Sequence, residues 1–239
     1  MPHDESANFA DHFTQGFWDD RYGSAQQLWS GRPNPQLVGQ AAELTPGDAL
    51  DVGCGEGADA IWLAAQGWTV TAVDISAVAL DRAVGHAAVR GAEIAGRISW
   101  QQADLLSWDP GRQRYDLVSA QFMYLPLTHL ESLHRRLAAA VRPGGTLLIV
   151  LHHPDGHLVG ARQHQGPGLA DSAEGRAVMA LGAQPERLAA ALDPGAFDVI
   201  LAEAIPREMT DAAGRPVTLL DTVLRAVRRR APDSSAVPS

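Results

Sequence analysis

Short apolar runs alternate with longer mixed segments along the first 150 residues of the chain. Five of these runs have the length and composition of buried strands, and the segments between them are bounded by the Ser, Gly and Pro residues that begin and end helices. The predicted strands are 49–52, 70–75, 98–103, 115–122 and 146–150, and the predicted helices between them are 58–66, 77–90 and 127–140. This alternation predicts a parallel sheet with right-handed crossovers.

Both ends of the chain add elements to this pattern. We predict a helix at 8–22, with Phe9, Phe13 and Phe17 on one face, and a second helix at 35–44. Near the other end the predicted elements are a helix at 185–192 and strands at 197–203 and 217–224, joined by a hairpin-like turn at 211–214.

Residues 152–184 break the alternation. They are rich in Gly, His and Gln and contain only a weak helical patch at 173–181. Ligand-facing loops gather at the carboxyl ends of parallel strands, so we predict that 152–184 is an insertion over the substrate side of the sheet.

Composition narrows the class of protein. The length of 239 residues fits a single domain, which we place at 1–230, followed by a disordered tail at 231–239. The chain has no uncharged apolar run of membrane-spanning length, and its first residues do not resemble a signal peptide, so we expect a cytoplasmic protein without a membrane partner. The net charge of −9 argues against a nucleic-acid partner. The oligomeric state is left open.

The single cysteine, Cys54, excludes an intrachain disulfide and a multi-cysteine metal site. It lies within the most informative stretch of the chain, the glycine loop (53–57). There Gly53, Gly55 and Gly57 alternate with other residues directly after the first predicted strand. A small thiol packed under the turn explains Cys54 better than a catalytic nucleophile does.

Asp51 precedes this loop by two residues. Glycines let the backbone approach a ligand closely, but a pyrophosphate is poorly served by a nearby carboxylate. A ligand that carries an ammonium group is well served by one. The stretch therefore resembles the first motif of the class I S-adenosylmethionine-dependent methyltransferases, and the later strands follow in the order of that family. The resemblance implies a Rossmann-like α/β fold: a seven-stranded, mostly parallel sheet in the order 3-2-1-4-5-7-6, with the last strand antiparallel and helices on both faces.

By this resemblance, S-adenosyl-L-methionine is the cofactor and S-adenosyl-L-homocysteine its product. Asp74 would bind the ribose, Ile75 would lie against the adenine, and Asp104 with the Leu105 backbone would bind the adenine amino group. The cofactor residues implied in full are Asp51, Gly53, Gly55, Gly57, Asp74, Ile75, Ser76, Asp104, Leu105, Gln121, Tyr22, Trp29 and Arg32.

The last three of these come from a narrower resemblance, to the tellurite-resistance and thiopurine methyltransferase-like branch. There an N-terminal segment closes over the cofactor, which would make 1–34 a cover in this chain. Tyr22 and Trp29 would then meet the sulfonium, and Arg32 the methionine carboxylate. The alternative is that these aromatic residues only pack the first helix onto the sheet.

Two places offer groups for catalysis. His153, after the fifth strand, is our candidate for a base or an acceptor-orienting group, and Tyr124, after the fourth strand, is a second candidate. Adjacent strand residues face opposite sides, so His152 and His153 cannot both face the site if the strand continues that far. A hydrogen-bonding role in a polar loop is the plain alternative, and a metal site with His157 and His164 is a minor one, so we predict no metal. Arg207 is a candidate for binding an anionic acceptor or for an ion pair at the sheet edge.

These residues predict a methyltransferase that acts on a heteroatom (O, N, S or a chalcogen) of a small molecule. The motifs of enzymes that methylate adenine or glutamine amino groups are absent after the fourth strand. A non-catalytic S-adenosylmethionine-binding sensor or partner subunit is the main alternative. An NAD(P)-dependent reductase fits less well, because position 58 is Ala and the chain contains no lysine.

Overall fold

The computed structural model describes residues 13–154, 177, 181, 183–210 and 214–230. In these residues seven strands form one sheet in the order β3-β2-β1-β4-β5-β7-β6. The strands are β1 (Asp48–Val52), β2 (Thr69–Asp74), β3 (Ile98–Gln102), β4 (Tyr115–Gln121), β5 (Val141–His152), β6 (Phe197–Thr210) and β7 (Pro216–Arg228). Strands β1 to β5 pair in parallel, and β7 pairs antiparallel with both β5 and β6. The predicted sheet order and the antiparallel last strand are confirmed.

The helices of the described residues lie between the strands or before them. They are α1 (Gln15–Gly23), α2 (Pro35–Ala41), α3 (Ala58–Ala65), α4 (Ala77–Val89), α5 (Ala92–Ala95), α6 (Leu127–Ala140) and α7 (Pro185–Ala190). Ser76 is the N-cap of α4, and its hydroxyl accepts the Ala79 N–H at 3.1 Å.

The first helix differs from its prediction. It begins at Gln15 and not near residue 8, since Thr14 is its N-cap and accepts the Phe17 N–H at 3.3 Å. Phe13 is nevertheless buried in the core, as the spacing of the phenylalanines predicts. Phe9 lies outside the described residues, as do the tail at 231–239 and most of 152–184, including the predicted helical patch apart from Ala177 and Leu181.

Side chains of the central strands enter two hydrophobic clusters, one on each face of the sheet. In β5, Leu147, Ile149 and Leu151 belong to one cluster, and Leu148 and Val150 to the other. The second cluster also contains Cys54. The thiol is therefore packed under the glycine loop, in agreement with its structural interpretation, and burial raises its pKa well above the usual range.

The last two strands are longer than predicted. The apolar pattern of β6 ends near Glu203, yet the strand continues through Pro206 to Thr210. Proline is tolerated here because β6 is the edge strand and needs partners on one side only. In this extension Arg207 lies two residues beyond Ile205, which pairs with Asp221 of β7, and Asp221 also pairs with His152 at the carboxyl end of β5.

Candidate active site

The glycine loop follows β1 directly and leads into α3. Gly53 donates its backbone N–H to the Val73 carbonyl at 2.8 Å, which fixes the loop to the end of β2. Gly57 has a φ of +85°, and a Cβ there would lie 2.7 Å from Cη2 of Trp100 in β3. The third glycine is therefore required by packing as well as by its backbone angle.

Two carboxyl groups flank this loop in the sequence. Asp51 is buried, and its Oδ2 has no hydrogen-bond partner among the residues described. Burial raises the pKa of Asp51 well above its usual range, and the charges of Asp59 and Asp74 raise it further. Burial also raises the pKa of Asp59 to about 6, although the Asn34 N–H donates to its Oδ1 at 2.6 Å. A buried carboxyl oxygen without a donor suits a ligand that brings a positive charge.

Asp74 ends β2 on the other side of the loop. Its Oδ2 accepts the Gly55 N–H at 2.8 Å, and its Oδ1 accepts the Ser76 N–H at 2.9 Å. Burial raises the pKa of this carboxyl, and the two backbone hydrogen bonds oppose that rise. An ionised carboxylate has about four acceptor positions, so Asp74 retains capacity for ligand hydroxyls beyond these two bonds.

Other predicted cofactor residues lie beside Asp74 or after β3. Ile75 is partly buried, and its carbonyl accepts from Gln102 Nε2 at 3.1 Å. Asp104 is exposed and closes a turn by accepting the Leu106 N–H at 2.9 Å. Leu105 is buried. These residues stand at the carboxyl ends of β2 and β3, where the family resemblance places the ribose and adenine.

Tyr22 and Trp29 lie on the middle glycine of the loop. A Cβ on Gly55 would be 2.8 Å from the Tyr22 hydroxyl and 3.4 Å from Trp29 Nε1, and that Nε1 donates to the hydroxyl at 2.9 Å. Tyr22 is buried, whereas 41% of Trp29 is exposed. Arg32 is exposed in the turn beyond them, where its N–H donates to the Ser30 hydroxyl at 3.2 Å. The structure thus brings two of the three predicted cover residues onto the loop.

Glu56 fastens this cover, and sequence reasoning missed it. Its buried carboxylate accepts the N–H groups of Leu28 and Trp29, each at 3.1 Å to Oε2, and the Arg82 guanidinium at 3.0 Å to Oε1. Arg82 in turn donates to the Tyr22 carbonyl at 2.6 Å. The available signal in the sequence was a charged residue between two of the loop glycines. Packing of the loop does not require a charge there, so a charged residue indicates a partner elsewhere in the chain.

The end of β4 closes the other side of the loop. Gln121 is held by protein at both ends of its amide: Oε1 accepts from Asn34 Nδ2 at 2.9 Å, and Nε2 donates to the Ser119 hydroxyl at 2.8 Å. Two residues later, the Met123 thioether lies where a Cβ on Gly53 would be, 1.9 Å from that position. The segment after β4 therefore connects the glycine loop with the carboxyl end of β5.

At that end of β5, His152 stands in a cluster of polar and aromatic groups. Its Nδ1 lies 3.4 Å from Oδ1 of Asp221, and its ring stacks on Phe122 with 4.0 Å between centroids. Tyr124 accepts the His152 backbone N–H at 2.7 Å. Burial raises the pKa of the Tyr124 phenol, so this group is a hydrogen-bonding neutral phenol at neutral pH. Arg207 forms an ion pair with Asp221, with 2.6 Å between Nε and Oδ2.

His153 lies on the other face of the strand. Its backbone N–H donates to the Leu220 carbonyl at 2.8 Å, so the pairing of β5 with β7 continues through this residue. Alternation then places His152 on the face of Leu148 and Val150, which is the face of the cluster that contains Cys54. The expectation that His152 and His153 lie on opposite faces is consistent with the continued pairing of β5 with β7. The catalytic role of His153 stays a prediction.

Within the described residues no three His, Cys, Asp or Glu side chains are grouped as metal ligands, and His157 and His164 lie outside those residues. In the same residues no helix has the length and hydropathy needed to cross a membrane.

Known proteins were compared with the chain that forms this sheet and glycine loop. Residues 49–145, which span β1 to the start of β5, match the family described as "Methyltransferase domain". This match covers less than half of the chain, and it shows that the stretch from β1 to β5 is similar to that family. A 2-heptyl-1-hydroxyquinolin-4(1H)-one methyltransferase of Mycobacteroides abscessus is 29% identical over 132 residues, covering 54% of this chain and 57% of that protein. The chain therefore spans just over half the length of that relative.

Two solved structures show how far the methyltransferase fold extends. One comes from work on the conversion of a disulfide bond into a thioacetal group during echinomycin biosynthesis. It superposes with a TM-score of 0.68 at 23% identity, over 92% of this chain and 93% of that chain. The other is the glycopeptide N-methyltransferase MtfA complexed with (S)-adenosyl-L-methionine, with a TM-score of 0.54 at 17% identity, over 80% and 91% of the two chains. At these identities the likeness is one of fold.

Proposed function

We propose that this protein transfers the methyl group of S-adenosyl-L-methionine to a heteroatom of a small molecule. The observation that carries the proposal is the unpartnered oxygen of Asp51, buried beside the glycine loop. A carboxylate in that position is complementary to the ammonium group of the methionine moiety, and a pyrophosphate would be repelled by it. Asp74, on the other side of the loop, fits the ribose hydroxyls.

The cofactor, when bound, supplies a methyl carbon already activated by a sulfonium. The protein then has three tasks: to hold the acceptor in line, to exclude water and to take up a proton where the acceptor carries one. Tyr22 and Trp29 serve the second task, because they cover Gly55. Their aromatic rings also suit a positively charged ligand. Arg32, which is exposed in the turn after Trp29, is assigned to the methionine carboxylate on the strength of the family resemblance.

Several observations support a small-molecule acceptor. The net charge of −9 disfavours a nucleic-acid substrate. The Mycobacteroides abscessus relative acts, by its name, on a hydroxyquinolinone. We therefore place hydroxylated aromatic heterocycles first in an acceptor panel, followed by thiols, amines and chalcogen oxyanions. Tyr124, which accepts the backbone N–H of His152, is assigned to orienting the acceptor.

Calorimetric titration with the cofactor tests the proposal. We expect micromolar binding of S-adenosylmethionine and S-adenosylhomocysteine and no binding of NADH or NADPH. Asp51→Asn retains size and removes the charge, so affinity for both ligands should fall about tenfold or more, in line with a lost hydrogen bond between charged groups. 5′-Methylthioadenosine lacks the ammonium group and is the matched control ligand, because its affinity should not change.

The alternatives give different results. Tight binding of a nicotinamide nucleotide would point to a reductase. Methylation of the acceptors in the panel is measured by mass spectrometry. Binding of S-adenosylmethionine without methylation of any of them would point to a sensor or partner subunit.

A further inference from the structure

Asp221 interrupts the apolar run of β7 with a carboxylate that is fully buried. Arg207, on the neighbouring strand, contacts both of its oxygens, with Nε 2.6 Å from Oδ2 and Nη2 3.2 Å from Oδ1. The positive charge of Arg207 therefore compensates the negative charge of the Asp221 carboxylate. His152 contacts the same carboxylate through Nδ1. A carboxylate in this position holds the imidazole in the tautomer that carries its proton on Nδ1, which makes Nε2 the basic nitrogen.

The charged groups around His152 set its protonation. Burial lowers its pKa below the usual value, the charge of Asp221 opposes that shift, and the charge of Arg207 adds to it. The Tyr124 hydroxyl also lies beside His152, where it accepts the His152 backbone N–H and is neutral. The imidazole is therefore unprotonated at neutral pH and is able to accept a proton. Arg207 has a specific part in this, because an isolated Asp221 would favour the imidazolium.

The position of His152 relates it to the glycine loop. Its side chain is 17% exposed while that of Asp221 is fully buried, so the imidazole reaches the protein surface and the carboxylate does not. Phe122, which stacks on the ring, has a φ of +54°, a conformation that non-glycine residues adopt only rarely. The Phe122 N–H donates to the Val150 carbonyl at 2.7 Å, which holds this turn. The next residue, Met123, lies against Gly53.

We propose that His152 is the general base of the methyl transfer, that Asp221 and Arg207 are its positioning residues, and that the acceptor carries an acidic hydroxyl. This inference rests on the proposed function. A lone pair of the acceptor oxygen forms the new O–C bond, the C–S bond breaks with its electrons going to sulfur, and the hydroxyl proton passes to Nε2 of His152. A weakly basic imidazole takes a proton best from an acidic hydroxyl such as that of a phenol or enol.

The first test needs neither cofactor nor acceptor. NMR titration of the histidine rings, with His152→Gln used to assign the signal, should give a midpoint below 6.5 and the Nδ1–H tautomer. Two substitutions should move the midpoint in opposite directions. Arg207→Gln should raise it because a positive charge is lost, and Asp221→Asn should lower it because a negative charge is lost. A midpoint above 6.5, or shifts of the same sign in both variants, would overturn the assignment.

The second test uses the pH dependence of turnover with a hydroxylated acceptor from the panel. The rate should rise with pH through the NMR midpoint and then level off. The two positioning variants should shift this rising limb of the pH–rate profile in the same direction as they shift the NMR midpoint. His152→Gln should remove the limb and lower kcat at pH 7 by about 100-fold or more, with cofactor affinity unchanged. An acceptor whose hydroxyl is already ionised needs no base, so the same variant should affect it much less.

The outcomes separate the two proposals. Absence of S-adenosylmethionine binding by the wild-type protein would overturn the proposed function and this inference with it. Normal binding and turnover with an unchanged pH limb in His152→Gln, or loss of the limb in His153→Gln instead, would overturn this inference alone.

Discussion

Glu56 of the glycine loop and Arg82 of α4 form an ion pair, with 3.0 Å between Oε1 and Nη1. The same two side chains bind backbone groups of the cover: Glu56 accepts from Leu28 and Trp29, and Arg82 donates to the Tyr22 and Ala25 carbonyls. The loop that is predicted to bind the cofactor and the segment that is predicted to enclose it are therefore joined by one pair of charges.

Glu56→Gln should loosen the cover. The Arg82 guanidinium loses its charged partner, so we expect the free energy of unfolding to fall by about 1 to 3 kcal/mol. Trp29 should become more exposed, with a red-shifted emission, and trypsin should cut after Arg21 more rapidly. Glu93→Gln is the matched control, since it breaks a surface pair with Arg97 whose glutamate is 87% exposed. Equal proteolysis of the two variants would contradict the role given to Glu56.

Asp74→Ala should weaken cofactor binding. Loss of the acceptor for the ribose hydroxyls is expected to cost about 1.5 to 3 kcal/mol, or roughly 10- to 150-fold in affinity. The loss should be smaller for a 2′-deoxy analogue of S-adenosylhomocysteine, which lacks one of the hydroxyl donors. Asp81→Ala, on the exposed face of α4, is the control. Unchanged affinity in Asp74→Ala would remove the ribose assignment.

Cofactor binding should depend on pH through the carboxyl pair of Asp51 and Asp59. The pKa values of both are raised, that of Asp59 to about 6, so part of the pair is protonated in the free protein at pH 5 to 6. A cationic ligand favours the ionised form, which means that affinity should rise with pH over this range and that binding should release protons. Calorimetry in buffers of different ionisation enthalpy measures that release. Uptake of protons, or none at pH 5.5, would be inconsistent with an ammonium beside this pair.

His134 of α6 should make the fold sensitive to acid. Burial lowers its pKa to about 4, against a small opposing effect of Glu131. The unfolded chain therefore binds a proton near pH 6.5 that the folded protein does not bind until about pH 4. Stability is lost as pH falls through that interval, by up to about 3 kcal/mol. Denaturant unfolding at pH 7.5 and pH 5 measures the free energy of unfolding at each pH. The difference between the two values should be smaller for His134→Gln than for the wild-type protein, and equal differences would show that His134 does not contribute.

The sequence was sufficient for the sheet and for the residues close to the glycine motif. Asp51, Gly53 and Asp74 lie at positions set by local strand and turn geometry, which a motif predicts, and their roles toward the cofactor stay predictions. The order of the strands followed from the resemblance and from the rhythm of strands and helices. The extension of β6 through Pro206 was not predictable, because it depends on β6 being the edge strand of the folded sheet.

The missed residues depend on contacts between distant parts of the chain. Glu56 and Arg82 are 26 positions apart, and His152 and Asp221 are 69 apart. No pattern of neighbouring residues in the sequence predicts such pairs. A charged residue inside an apolar strand was the signal at Asp221, but the residue that compensates it is known only once β6 and β7 are aligned. The choice between His152 and His153 likewise required the register of β5.

The fit of Trp100 against Gly57 connects the third strand to the glycine loop, although the two are more than forty residues apart. The evolutionary histories of these two positions should therefore be coupled. A related protein that replaces the third glycine with alanine needs a smaller residue at the position of Trp100. Where the tryptophan is retained, selection should preserve the glycine even in descendants that lack the proposed activity.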